Sequence, residues 1–143
     1  MVEKAALEAL RDSKFGHLRV GDLMEKNVQS GHKEIQAEVL ASEMMEGFGS
    51  VPIIDQADRL VGIVSEFDLL NVLRKGKKLR EITAGEIMTP NPVSVTQNTD
   101  VVTVIEVLQN NHLIRVPVVD STGKLIGILA RRDILRGYLQ TAT

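Results

Sequence analysis

The run Gly62-Ile63-Val64-Ser65-Glu66-Phe67-Asp68 carries the residue types of an anion site: an apolar strand that ends at a hydroxyl and passes at once into an acidic helix start. The first N–H groups of a helix have no partner inside it, and its dipole favours negative charge there, so a phosphate suits this junction. Ser65 offers that phosphate a hydroxyl donor, and Asp68 places a carboxylate one turn further in. The same Ser-x-x-Asp spacing also describes a capping box, in which the two side chains satisfy the helix backbone. Both readings stand on these residues alone. The junction recurs 65 residues later as Gly127-Ile128-Leu129-Ala130-Arg131-Arg132-Asp133. Ala130 has no hydroxyl with which to cap, yet the acid is kept, so capping is expected to account poorly for Asp133. A first-turn acid otherwise gains only about 0.3–1 kcal/mol from the dipole.

Other chemistry is scarce. The chain has no cysteine, which excludes disulfides, thiolate zinc sites and thiol nucleophiles. His17, His32 and His112 lack paired ligand spacing, so no metal site is expected. There is no Gly-x-Ser-x-Gly elbow, His-Glu-x-x-His or phosphate-loop lysine motif, and no catalysis is expected. Gly47-Phe48-Gly49 lacks the third glycine of a dinucleotide fingerprint and leads from helix to strand, so it is a helix stop. The basic stretch from Arg74 to Arg80 suits a helix C-terminus and a solvated linker better than a nucleic-acid surface. A net charge of -2 provides no broad basic field, and aromatic residues at 3% offer few stacking platforms for single strands. Hydrophobic residues at 43% and charged residues at 25% are those of a globular domain. No apolar run approaches the roughly 20 residues of a membrane span. The start Met1-Val2-Glu3-Lys4 lacks the apolar stretch of a signal peptide, so a cytoplasmic location is expected.

The positioning elements come from an internal repeat. Val51 to Leu70 lies over Val116 to Leu135 without a gap, identical at eight of twenty positions. Upstream, Gly21-Asp22-Leu23-Met24 matches Gly85-Glu86-Ile87-Met88 at an offset of 64, so the second copy carries one extra residue in between. Each copy reads as a turn, a short extended piece (Val28 to Ser30, Val93 to Val95), a helix (Ile35 to Glu46, Asp100 to Asn111), two short strands and a closing helix. The strands are expected at Val51 to Ile54 and Leu60 to Val64, then Val116 to Val119 and Leu125 to Leu129. The closing helices are expected at Glu66 to Arg74 and Arg131 to Gln140. Pro52 and Pro117 suit strands that leave neighbouring backbone free at an edge. The unit is β-α-β-β-α twice, an α+β fold, with an amphipathic N-terminal helix ahead of it at Glu3 to Asp12. The boundaries are 1–17 for that helix, 18–76 for the first repeat, 77–83 for a basic linker and 84–143 for the second. A core of about 60 residues is marginal, so the copies are expected to pack face to face, leaving a crevice for a ligand. Met24 and Met88, at matching positions, suit core packing.

Val-Pro-apolar-apolar-Asp, a short turn, Leu-Val/Ile-Gly-Ile and then the helix acid resemble the tandem cystathionine beta-synthase (CBS) domain pair over about residues 18 to 140. The resemblance implies pseudo-two-fold packing of the repeats and a regulatory module, without catalysis, that binds AMP, ADP or ATP in clefts between them. S-adenosylmethionine is the alternative ligand, and a ligand-free dimerisation scaffold the alternative role. It also implies a homodimer and a regulated partner protein. Asp68 and Asp133 would accept from ribose hydroxyls. Adenine would rest on Val28, Val51 and Pro52, or on Val93, Val116 and Pro117. Ser65 would reach phosphate in the first site, and Arg115 and Arg131 in the second, where Ala130 departs from the pattern. Ser50 replaces Arg115 in the first copy, so the more basic Asp133 site is expected to prefer more phosphates.

Overall fold

A computed structural model describes residues 2–47 and 49–142; Met1, Phe48 and Thr143 lie outside the described residues, and with Phe48 part of the expected helix stop. The helices are α1 (Val2–Asp12), α2 (Val20–Leu23), α3 (Ala37–Met44), α4 (Glu66–Arg74), α5 (Ala84–Ile87), α6 (Val101–Asn110) and α7 (Arg131–Thr141). The strands are β1 (Ser50–Ile54), β2 (Leu60–Ser65), β3 (Thr89–Pro90), β4 (Val95–Thr96), β5 (Arg115–Val119) and β6 (Leu125–Ala130). They form two three-stranded sheets, β1-β2-β3 and β4-β5-β6. The fold is α+β, with the N-terminal helix present.

The repeat is visible in the burial of each hairpin. In β1 and β5 the three central residues are buried, and β2 and β6 share one alternating pattern. The turn between β1 and β2 is held by Asp55, whose carboxylate accepts from the Ala57 and Arg59 N–H groups, both at 2.9 Å. Asp58 takes a left-handed φ of 64° there, and Gly123, its counterpart, has φ 88°. A position closed to most side chains is thus filled by aspartate in one copy and glycine in the other.

The chain forms two compact units that do not follow the repeat boundaries. One comprises the residues through Val28, Val93–Ser121 and those from Ile126 onward; the other comprises Gln29–Pro92 and Thr122–Leu125. The leader of each repeat is built into the unit that holds the other repeat's hairpin. In the second unit, β3 pairs antiparallel with β2, Ile63 opposite Thr89. In the first, Glu25 and Ile128 exchange hydrogen bonds of 2.8 and 2.9 Å. Met88 packs on Gly62 and Met24 on Gly127, so closely that a methyl carbon at either glycine would collide with the thioether. Both methionines pack against the buried clusters, as their matching positions implied.

Several expectations need adjustment. The Gly-acid-Leu/Ile-Met segments are one-turn helices, α2 and α5, rather than open turns. Glu86, at the third position of α5, accepts from the Thr83 N–H, and Asp22 accepts from the Arg19 N–H in α2. The extended pieces also lie further along than Val28 and Val93. Val95 pairs in parallel with Val118, and Gly31 bridges Ile53 in the same way. The offset is therefore still 64 here, which makes Pro92 the counterpart of Val28 and Gln29 that of Val93. The extra residue enters later, in the last turn of α6, which has ten residues against eight in α3. Residues 77–83 are also not a bare linker, since Leu79 and Ile82 pack on the second unit's core and the Ile82 carbonyl accepts from the Ala37 N–H.

In the first unit α1 is tied down through Arg11, which donates to Asp100 at 2.8 Å. Asp100 caps α6, accepting from the Thr103 N–H at 3.1 Å and its hydroxyl at 2.6 Å. Burial pushes the Asp100 carboxyl up, but the Thr103 hydroxyl and N–H and the Arg11 guanidinium outweigh it and hold it below the usual carboxylate range. A carboxyl lowered on folding adds stability above its unfolded value of about 3.9, and this is lost as pH falls through the folded value. Asp100→Ala is accordingly expected to cost about 1–2 kcal/mol at neutral pH. In urea titrations the gap from wild type should close as the pH is taken below about 4.

Candidate functional site

The first candidate site lies where β2 runs into α4. Val51 and Pro52 are buried on β1, opposite Val64 and Ile63 of β2. β1 is not a free edge at Pro52, because the Pro52 carbonyl accepts from the Gly31 N–H at 3.0 Å and the Ile54 N–H donates to Gly31 at 2.8 Å. Ser65 closes the strand and caps the helix. Its hydroxyl accepts from the Asp68 N–H at 3.3 Å, while Asp68 Oδ2 accepts from the Ser65 N–H at 2.7 Å. The Ser65 hydroxyl also lies 3.0 Å from Asp68 Oδ2. The Glu66 N–H donates to the Gly49 carbonyl at 3.3 Å. Of the first-turn donors, among the described residues, this leaves the Phe67 N–H for an anion. Asp68 lines a cavity of about 600 Å³ with Asn71, Lys75, Lys77 and Glu86.

The second site repeats this where β6 runs into α7. Val116 and Pro117 are buried on β5 and Arg115 is half-buried. The Arg131 N–H donates to the Ile114 carbonyl at 3.0 Å, as Glu66 does to Gly49. Asp133 is 8% exposed. Its Oδ2 accepts from the Ala130 N–H at 2.9 Å, and its Oδ1 from the Arg136 guanidinium at 2.6 Å. This corrects the expectation that capping accounts poorly for Asp133. The carboxylate performs its half of the box on the Ala130 backbone, which needs no hydroxyl in return. The lost half has a consequence, because without a serine oxygen the Asp133 N–H joins the Arg132 N–H as a donor with no partner among the described residues. The second helix start therefore offers an anion two backbone donors where the first offers one.

The other expected residues separate. Arg131 lines a cavity of about 550 Å³ between α6 and α7, with Ile105, Leu108, His112 and Leu135. Asp133, about 200° round the helix by the geometry of 3.6 residues per turn, is not among that cavity's walls. Val93 is 41% exposed and belongs to the unit that holds Val116, Pro117 and Asp133. Val28 belongs to the same unit, whereas Val51, Pro52, Ser65 and Asp68 belong to the other. Sequence reasoning missed Arg136, although Asp-x-x-Arg spacing on a helix is a legible pairing signal. It also missed the Gly49 and Ile114 carbonyls, for which a sequence carries no signal. His17 and His32 each place Nδ1 within 3.1 Å of a backbone carbonyl, those of Ser13 and Ile54.

Two copies of a strand hairpin followed by an acid-capped helix, with leaders exchanged between them, define a tandem α+β repeat protein. The CBS domain family matches residues 20–75 and again 84–140, and the chain belongs to that family as a tandem CBS pair. It is 34% identical over 119 residues to the protein MK0525 of Methanopyrus kandleri, covering 82% of this chain and 61% of that one. Among solved structures it is similar to CBSX2, from Arabidopsis thaliana, in complex with AMP, at 32% identity and a TM-score of 0.78, over 88% of this chain and 99% of that one. It is also similar to the CBS pair of protein MJ0100 in complex with 5'-methylthioadenosine and S-adenosyl-L-methionine, at 28% identity and a TM-score of 0.75, over 85% and 96%. The chain spans about six-tenths of the length of the curated relatives it matches first. No described helix is long and apolar enough to cross a membrane.

Proposed function

We propose that this chain is a non-catalytic, cytoplasmic regulatory module that binds an adenine nucleotide, AMP, ADP or ATP, at the starts of α4 and α7. It acts as a homodimer and passes the bound state to a partner protein. The observation that carries this is the placement of Asp68 and Asp133, one turn into equivalent helices that each follow a buried Val-Pro strand, in a family whose relative CBSX2 has been solved with AMP. Ribose hydroxyls would exchange for one of the bonds each carboxylate makes now. At Asp133 that bond is to Arg136, whose side chain is 55% exposed, and a pair so open to water contributes little. The two free N–H groups at α7 favour the more highly phosphorylated ligand at that site.

A second reading has its own support. Ala130 offers no hydroxyl to a phosphate, and MJ0100 has been solved with S-adenosyl-L-methionine, which has none. Thermal unfolding with AMP, ADP, ATP and S-adenosylmethionine separates the two. A ligand at 100 times its dissociation constant adds about 2.7 kcal/mol, which raises the midpoint by roughly 5–10 °C. Asp68→Asn and Asp133→Asn keep a capping acceptor, so each is expected to abolish the ligand-induced shift at its own site while leaving the ligand-free midpoint nearly unchanged. No shift from any of the four at millimolar concentration would leave the dimerisation scaffold as the function.

A further inference from the structure

The cavity of about 550 Å³ between α6 and α7 is apolar over most of its wall and cationic at one end. Leu108 and Ile134 are buried in that wall, with Ile105, Leu113 and Leu135 beside them. The bond from the Arg131 N–H to the Ile114 carbonyl sets the first residue of α7 against the chain just leaving α6, so Arg131 and His112 share one end. Ile105 lies about two turns back along α6 from that end, roughly 10 Å. No acid lines the cavity, and Arg131 forms no ion pair among the described residues, whereas Arg11, Arg59 and Arg136 each do. Both polar residues also stand against local preference. A cation at the first position of a helix opposes the dipole, and the first repeat has there the acid that the dipole favours, Glu66. His112 holds a left-handed φ of 54°, where the first repeat has Gly47. Two residues that the local structure disfavours thus meet at one cavity, the pattern of a functional position rather than a structural one.

We infer that this cavity binds a free alkyl carboxylate, its chain lying between α6 and α7 and its head group on Arg131 and His112. A guanidinium presents paired N–H donors that match a carboxylate, and the imidazole adds a ring N–H. The volume is that of a small-molecule site, and so is the lining of apolar side chains with a few polar groups. A nucleotide does not suit it, because its phosphates and base would lose water against leucine and isoleucine without new partners. The site is therefore separate from the one built on Asp133, which is not among the cavity's walls, and does not rest on nucleotide binding. It belongs to the second repeat alone, since Glu66 and Gly47 stand at the equivalent positions of the first.

Titration calorimetry of the full chain with hexanoate, octanoate and decanoate tests this directly. Affinity should rise roughly fourfold with each added methylene until the cavity is full. Octylamine and octanol, of the same length, should bind about tenfold more weakly than octanoate. Arg131→Glu puts an acid where the helix dipole favours one, so the variant should fold, lose octanoate affinity about tenfold and bind octylamine in preference. His112→Gly keeps the left-handed backbone open and should weaken octanoate about threefold without lowering the unfolding midpoint. No heat from octanoate or decanoate at millimolar concentration would overturn the site. Equal binding of acid, amine and alcohol, or an octanoate affinity untouched by Arg131→Glu, would reduce it to adsorption on an apolar surface and overturn it too. An octanoate affinity that falls as the protein is concentrated would show that a second copy, not a carboxylate, fills the cavity.

Discussion

Gly62→Val is expected to lower stability by about 3 kcal/mol, seen as a midpoint about 10 °C below wild type in thermal unfolding. Gly62 is buried on β2 beneath Met88, and a carbon added at Cα would lie 2.8 Å from Met88 Cγ and 3.1 Å from its Cβ, with the sulfur closer still. Methionine is the most adaptable of apolar side chains, yet its Cβ is fixed by the backbone where the chain leaves α5, so the contact is not relieved by turning the thioether aside. The branched valine adds two further carbons to the collision. Gly127→Val meets Met24 Sδ at 2.7 Å and Cγ at 3.2 Å, and also the Glu25 carbonyl at 3.1 Å, whose neighbouring N–H is tied to Ile128. A similar loss is therefore expected there. Gly62→Val with Met88→Ala should recover part of it, since the smaller side chain vacates the space; a double variant no more stable than Gly62→Val would place the strain elsewhere.

Leu40→Ala and Leu129→Ala are each expected to cost about 2–5 kcal/mol by urea titration. Both leucines are wholly buried, Leu40 in the cluster of Val51, Ile53 and Val64, and Leu129 in that of Val104, Val116 and Val118. Each truncation removes apolar contact and leaves a cavity that rigid β-hairpin walls collapse around only partly. Leu129 also directly precedes Ala130, whose N–H holds Asp133, so its truncation should loosen the second site as well as the core. Amide exchange would locate the damage: Leu40→Ala should raise exchange in β1 and β2, and Leu129→Ala in β5 and β6. Uniform acceleration across all four strands would show that the two clusters do not respond separately.

What the sequence made legible follows from length and period. Helix α4 matches its expected bounds, Glu66 to Arg74, and the hairpins fall within a residue of theirs, because turn residues and apolar alternation mark both ends. Helices α2 and α5, at four residues each, are too short for any period to announce. The pairing of Thr89 with Ile63 and of Glu25 with Ile128 joins residues distant in sequence, and nothing local in either partner names the other. The aspartates were found by the repeat and Ser65 as the partner of Asp68 by its spacing, but Arg136, the side-chain partner of Asp133, was not. The Gly49 and Ile114 carbonyls that take the first helix N–H groups act through backbone alone. The register of Val28 and Val93 was lost to one residue, added at the end of α6, where His112 at φ 54° stands in for Gly47 at φ 108°.

The exchanged leaders bear on how such a chain is put together. A repeat synthesised alone would carry a methionine plug with no glycine socket to receive it, and a socket with no plug. Two identical single repeats on separate chains would complete each other, so the smallest self-sufficient assembly is already a pair. Fusing them end to end keeps both halves of each lock at high effective concentration. A nick within residues 77–83 should accordingly leave two fragments that hold each other without a covalent bond.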